Sequence, residues 1–290
     1  MDPRSRHPGN APGPWFVDHA CIDCDAVRQV APELIGRADR QAVVTRQPRD
    51  AAEETLMWRA AIACPTRSLR REPPRSRPRG LYPWDLGAGV HLTGHNAMSS
   101  FGANAFFVTR PEGNLLVDSP RYTRELVTAF DAAGGIAHIL LTHRDDVADA
   151  DRYASRYGAR VWIHAADAAA APCATDVVDG LEAVTIHPGL QLVPIPGHTR
   201  GSVAFALEER MLFSGDSLCW SRAAADLAVH ELYTWYSFPT QIDSLERLAH
   251  SVSFSWVLAG HGDRRETTAA DMHTRLLRLV SRYRQRRREG

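Results

Sequence analysis

Beyond Leu81 the chain alternates short apolar runs with polar punctuation, and the two periods it uses predict strands interleaved with helices. Asn104 to Thr109 and Asn114 to Asp118 flank Arg110-Pro111-Glu112-Gly113, which predicts a hairpin. Helices are expected from Arg121 to Ala133, closed by Gly134-Gly135, from about Asp149 to Tyr157, and near Thr240 to Ser251. Strand-like runs fall at Ala137 to Leu141, Arg160 to His164, Leu190 to Pro194, Ser202 to Leu207, Met211 to Ser214 and Ser253 to Ala259. Such alternation around one core predicts an α/β layered domain. In the last segment, Thr268 to Arg288, the residues Met272, Leu276, Leu279, Val280 and Tyr283 recur at helical spacing. That apolar stripe should pack on the domain while the arginines face water.

Upstream the texture differs. Residues 1–14 are dominated by Pro and Gly with no apolar repeat, and predict a disordered lead. Residues 15–69 form a compact segment holding three of the five cysteines. Its clearest helix is Glu53 to Ala63, stopped by Cys64-Pro65. Residues 70–80, rich in arginine and proline, predict a solvated linker stiffened by proline, and residues 81–290 form the main domain with its C-terminal helix.

With 290 residues there is room for two domains of ordinary size. Lys+Arg and Asp+Glu balance at 34 each, so the net field predicts no nucleic-acid partner and no membrane attraction. No apolar stretch is long enough to span a bilayer, and the polar start lacks a signal-peptide apolar region, which makes a cytoplasmic location the default expectation. Under that default an odd number of cysteines argues for metal binding or ordinary burial over a disulfide framework.

Candidate chemistry sits at strand ends. Pro196-Gly197-His198 follows one apolar run, and Gly215-Asp216 ends a later one. Thr142-His143-Arg144-Asp145 and Gly260-His261 repeat the device. A divalent metal that activates water needs several nitrogen and oxygen ligands on rigid elements with one position open. His143, Asp145, Asp149, His198, Asp216 and His261 are the metal-ligand candidates. A lone histidine is usually a surface or satisfied core residue, and an aspartate after a strand is often a helix cap; recurrence at strand ends changes that balance.

In this order the motifs resemble the metallo-β-lactamase superfamily, which carries Thr-His-x-His-x-Asp-His after a strand, then Gly-His, Gly-Asp and a final Gly-His. The matches are Thr142-His143, Gly197-His198, Gly215-Asp216 and Gly260-His261, within a resemblance covering about residues 89–263. It implies an α/β fold, the αββα sandwich of that family. The first motif departs from the pattern: Asp145 stands where the second histidine would, and the following aspartate arrives late if Asp149 takes that place. Ala150 then replaces the last histidine. The resemblance assigns His143, Asp145 and His198 to a first metal, Asp216 to a bridge, and Asp149 and His261 to a weakened second site. It leaves Asp149 to orient the water or accept its proton. One zinc or iron is the expectation, with a second metal in doubt.

Cys21-Ile22-Asp23-Cys24, followed after a helix by Cys64-Pro65, resembles a single-cluster bacterial ferredoxin, in which four cysteines wrap a [4Fe–4S] cube. The resemblance covers about residues 15–69 and implies a small α+β ferredoxin-like domain. Val27 occupies the place of the third cysteine. The candidate iron–sulfur ligands are therefore Cys21, Cys24 and Cys64 alone, and both a held cluster and a vestigial domain kept for packing remain open.

Three function classes follow. The leading one is a metal-dependent hydrolase acting with metal-activated water on an ester, thioester, amide or phosphoester-type bond of a small-molecule substrate. The second is a mononuclear non-haem iron oxidoreductase resembling the sulfur-oxidising branch of the superfamily, with an electron-transfer partner if the cluster is present. The third is a non-catalytic binding protein of the same fold, motivated by the missing ligands in both motifs.

Overall fold

A computed structural model describes residue 2 and residues 4–289 of the chain. Among these residues two large sheets form the main domain. The first, in spatial order, is Asp176–Val178, Arg160–His164, His138–Leu140, Leu115–Val117, Phe106–Val108, Val90–Leu92 and Trp84–Gly87. The second is Val184–His187, Leu190–Pro194, Val203–Leu207, Met211–Gly215, Trp256–Ala259 and Arg265–Glu266. Both faces of the central strands are covered, which explains why they read as unbroken apolar runs. In Val203–Leu207 the alternation is still visible. Val203, Phe205 and Leu207 join the core between the sheets, while Ala204 and Ala206 face the layer formed with the helices Phe238–Ser251 and Ala269–Glu289. On the far side Leu126, Phe130 and Tyr153, from the helices Arg124–Ala132 and Ala150–Tyr157, pack on the first sheet. The result is a helix–sheet–sheet–helix sandwich.

Local signals place the helices. Thr123 accepts the amide of Leu126 at 3.3 Å and Ser237 that of Thr240 at 3.3 Å, each capping a helix start. Gly158, left-handed at φ 62°, ends Ala150–Tyr157. The Phe106–Val108 and Leu115–Val117 strands pair antiparallel, as the hairpin pattern predicts.

The small N-terminal domain has its own core, in which Trp15, Met57, Val44 and Val27 are buried beneath the helix Ala51–Ala63. Two boundaries differ from the sequence reading. The expected disordered lead is instead folded onto this domain over residues 4–14. The side chain of Asn10 donates to the carbonyls of His7 and Val17 and accepts the amides of Val17 and Val44, and Ala11 donates to the Val44 carbonyl at 2.7 Å. One amide side chain thus substitutes for a strand partner, a role that composition does not reveal; residues 1 and 3 lie outside the described residues. The expected linker from residue 70 also starts too early, because Leu69–Arg71 is a strand paired antiparallel with Trp15–Val17.

The two domains touch through side-chain hydrogen bonds and an ion pair. Asn104 donates to Gln29 Oε1 at 2.7 Å, and Arg222 donates to the Arg28 carbonyl at 2.9 Å while pairing with Asp25 and Asp263.

Candidate metal centre

His143, His198, Asp216 and His261 follow the strands His138–Leu140, Leu190–Pro194, Met211–Gly215 and Trp256–Ala259. The last three of these strands belong to the second sheet and run in one direction, so their C-terminal ends share an edge, while His138–Leu140 belongs to the first sheet. Loops on a rigid edge bring together residues more than a hundred positions apart. The turn carrying His198 depends on Gly197, whose φ of 157° and contact with Gln241 leave no room for a side chain.

Two ligand groups result. In the first, single donor atoms of His143, His198 and Asp216 lie within 4.8 Å of one another. His143 Nε2 and His198 Nε2 stand 3.8 and 3.7 Å from Asp216 Oδ2. Asp145 borders the same space, its Oδ2 3.6 Å from His198 Nε2 and 3.9 Å from His143 Nε2. The second group is Asp146, Asp216 and His261, with Asp216 common to both.

The polar atoms of these groups test whether they fit a metal. His143 Nε2, His198 Nε2, Asp145 Oδ2 and both Asp146 carboxylate oxygens are buried with no hydrogen-bond partner. Unpaired buried polar atoms are costly, and a convergent set of lone pairs is the donor set a divalent cation satisfies. Gly260 keeps the space open: a Cβ there would sit 2.8 Å from Asp216 Oδ1 and 2.9 Å from Asp146 Oδ2. The residues fit a metal held by His143, His198 and Asp216, with a second position at Asp146, Asp216 and His261.

Surrounding groups orient the ligands. Thr142 Oγ1 donates to the Asp118 carboxylate at 2.9 Å and lies 2.9 Å from His143 Nδ1. With its one proton given to Asp118, the hydroxyl accepts from Nδ1–H and leaves the Nε2 lone pair facing the site. Burial pushes Asp118 up to about 8, a tendency the Thr142 amide and hydroxyl oppose by donating to the charged form. Burial also pushes His143 down to about 4, against the pull of Asp216, which keeps the imidazole neutral as a ligand must be. For Asp216 burial works upward, yet His261, His143 and His198 together hold its carboxyl well below the usual range. His261, opposed by burial, is lifted to about 8 by the charge and hydrogen bond of Asp216 at 2.8 Å.

The structure redistributes the sequence-predicted roles. His143, Asp145, His198, Asp216 and His261 come together. Asp149 does not: its carboxylate accepts the Tyr122 amide at 2.6 Å, sits 4.0 Å from Arg152, and belongs to neither ligand group. It lies at the start of the helix Ala150–Tyr157, where a carboxylate serves local backbone. Asp146 stands in the second group instead, so the late aspartate that the motif comparison chose is the wrong one of two. The run Asp145-Asp146 carried that signal.

Asp167 was not a candidate at all. It is 2% exposed, accepts Thr199 Oγ1 at 2.5 Å and Gly201 N at 3.2 Å from the His198 loop, and accepts Arg144 N at 3.1 Å from the His143 loop. One buried carboxylate thus ties both histidine loops together. Nothing in its local sequence, an alanine-rich segment, marks it.

The cysteine set has a different character. Cys21 Sγ accepts the amides of Asp23 and Ala42 at 3.4 and 3.3 Å, and Cys64 Sγ accepts that of Ser68 at 3.2 Å. Burial pushes the Cys24 thiol up to about 12. Val27, where the third cysteine of the pattern would stand, is 5% exposed and packed in the domain core. Three thiols without a fourth ligand do not supply the donor set of a complete [4Fe–4S] cube.

Comparison with known proteins agrees with this division. A family model described as "Metallo-beta-lactamase superfamily" matches residues 86–280, well over half of the chain. The chain belongs to the metallo-β-lactamase superfamily. A second model, "4Fe-4S single cluster domain of Ferredoxin I", matches residues 17–71. A hydroxyacylglutathione hydrolase of Acidiphilium cryptum (strain JF-5) is 31% identical over 118 residues, 39% of this chain and 48% of that protein. The chain thus spans about half the length of that curated relative. Among solved structures, a metallo-β-lactamase from Erythrobacter litoralis with β-mercaptoethanol in its active site has TM-score 0.52 at 19% identity, covering 69% of this chain and 95% of that one. The BLEG-1 B3 metallo-β-lactamase has TM-score 0.50 at 18% identity, covering 66% and 99%. These likenesses establish the superfamily sandwich, with a ferredoxin-like segment ahead of it. Among the described residues no helix is long and apolar enough to cross a membrane.

Proposed function

We propose that this protein is a metal-dependent hydrolase of the metallo-β-lactamase superfamily, acting on an ester-type bond of a small molecule, with thioesters the first class to test. The observation that carries the reading is the convergence of the unpartnered buried atoms His143 Nε2, His198 Nε2 and Asp145 Oδ2 beside Asp216. A zinc or iron ion held there supplies an acidified water and polarises a carbonyl or phosphoryl oxygen. His143, fixed by Thr142, would hold the ion together with His198 and Asp216. Asp145, 41% exposed and 3.6 Å from His198 Nε2, is the carboxylate placed to accept a proton, the role that the sequence reading gave to Asp149. The partial likeness to a hydroxyacylglutathione hydrolase supports a thioester.

The test combines metal analysis of purified protein with hydrolysis of a hydroxyacylglutathione and of simple ester and phosphoester substrates. Bound zinc or iron with thioester hydrolysis that chelation abolishes supports the reading. Protein that takes up neither metal on reconstitution overturns it and favours a binding role. The two-histidine, one-carboxylate set also suits mononuclear iron, so one iron with thiol oxidation and no hydrolysis would assign the oxidoreductase class instead.

A further inference from the structure

We infer that the cleft between the two domains is a second ligand site, separate from the metal centre, and that it takes an organic phosphate of nucleotide size. The cleft has a volume of about 820 Å³, within the ~300–1,000 Å³ range of small-molecule sites, and domain interfaces are where such sites concentrate. Seven of its 17 lining residues are arginines, against two glutamates. Three of the arginines are matched: Arg70 faces Asp18 at 3.7 Å, Arg71 faces Glu54 at 3.4 Å, and Arg77 faces Glu125 at 3.0 Å. Glu72 is occupied by Arg6 from outside the cleft at 2.9 Å. Arg67, Arg75, Arg121 and Arg124 have no carboxylate partner among the described residues.

Arg121 is the best placed of these. Its Nε donates to the carbonyls of His95 and Asn96 at 3.3 and 3.1 Å, which fixes the guanidinium and leaves both Nη groups without an acceptor. A planar fork held in this way matches the two oxygens of a phosphate. His95 lines the same space, 4% exposed, with its Nε2 3.4 Å from Glu125 Oε2, the carboxylate that also meets Arg77. Thr123 and Arg124, at the start of the helix Arg124–Ala132, add the positive end of its dipole. The surplus positive charge is felt inside the protein: Arg121 is held below its ordinary value by burial and then by repulsion from Arg67.

The remaining wall is apolar. Trp58 and Ile62 project from Ala51–Ala63, and Leu69 lies beside them. Trp58 is only partly buried and meets Trp15 edge-on at 4.8 Å. A free inorganic anion would leave that wall unused, whereas a nucleotide fills both halves, its flat base on the apolar side and its phosphates among the guanidiniums. Neither domain alone makes this site: the apolar wall comes from the small domain, Arg75 and Arg77 from the connecting segment, and His95, Arg121 and Arg124 from the sandwich.

The experiment is calorimetric titration of the full chain with adenosine diphosphate, with inorganic pyrophosphate and adenosine as comparison ligands. Saturable binding of the diphosphate is expected, tighter than pyrophosphate and much tighter than adenosine, and weakened by added salt. Arg121→Gln should weaken it at least about tenfold. Because Arg121 also anchors the His95 segment, the exposed pair Arg67→Gln/Arg75→Gln provides the check that folding cannot confound, and should lower affinity by a similar factor. Binding must persist in His198→Ala, which separates this cleft from the metal centre. No binding at millimolar diphosphate, equal affinity for adenosine, pyrophosphate binding tighter than the diphosphate, affinity unmoved by the arginine variants, or loss of binding in His198→Ala would each overturn the inference.

Discussion

The histidine–aspartate centre and the cysteine set are both incomplete copies of a ligand pattern, yet they differ in what surrounds the gap. Around the metal centre the departure at Asp145 and Ala150 leaves donors in place, and Asp146 and Asp145 face the open space with unpaired oxygens. Around the cysteines the departure at Val27 is filled by hydrophobic core. One gap is held open by Gly260 and lined with lone pairs; the other is closed by packing. A damaged motif therefore speaks less about function than the environment that grew around the damage.

Removing a ligand should break the comparison most sharply. His198→Ala is expected to abolish stable metal binding, measured as metal content after dialysis. Zinc at a hundredfold excess over its dissociation constant should stabilise the parent protein by ~2.7 kcal/mol and this variant by nothing comparable. Retained metal content would show that the centre is misplaced.

Positioning groups should come next. Asp167→Asn and Asp118→Asn each leave the direct ligands intact but loosen His143, His198 or both, and should lower metal affinity about 10- to 100-fold. A competitive chelator titration reads this, and an unchanged affinity would reduce both carboxylates to ordinary buried residues. For the cysteine set, Val27→Cys should produce a brown visible absorption after anaerobic reconstitution with iron and sulfide that exceeds the parent's. Equal absorbance in the two would mean that the domain has lost the pocket along with the ligand. The smallest effect is expected for Asp149→Asn, which should leave metal content and turnover within about twofold while costing at most about 1 kcal/mol of stability in denaturant unfolding. A loss of activity as large as that of His198→Ala would return Asp149 to the mechanism.

Much of this was legible in the residues. The apolar alternation after Leu81 predicts the layered domain, and strand-end placement singles out His143 at the end of a first-sheet strand and His198, Asp216 and His261 at the shared edge of the second sheet. Asp145 was legible through the same motif. Asp146 is not legible from the motif, because counting along the chain leads to Asp149, whereas the turn Arg144–Asp146 carries Asp146 to the group of Asp216 and His261. Asp167 was illegible because its partners, Arg144, Thr199 and Gly201, are 23 to 34 residues away. The ordered lead was hidden for a similar reason: Asn10 meets Val44, 34 residues on.

Local pattern by itself determined the elements, the order of the ligand motifs and the loss at Val27, because helices, strands and caps are decided by side-chain period and near neighbours. Tertiary structure alone decided which aspartate faces the metal space and that Asp167 joins the two histidine loops. It also gathered the arginines of a segment that reads as solvated linker around one cleft with Arg121 and His95. Those outcomes depend on which distant surfaces meet, and on burial making an unpaired donor or charge expensive enough to matter.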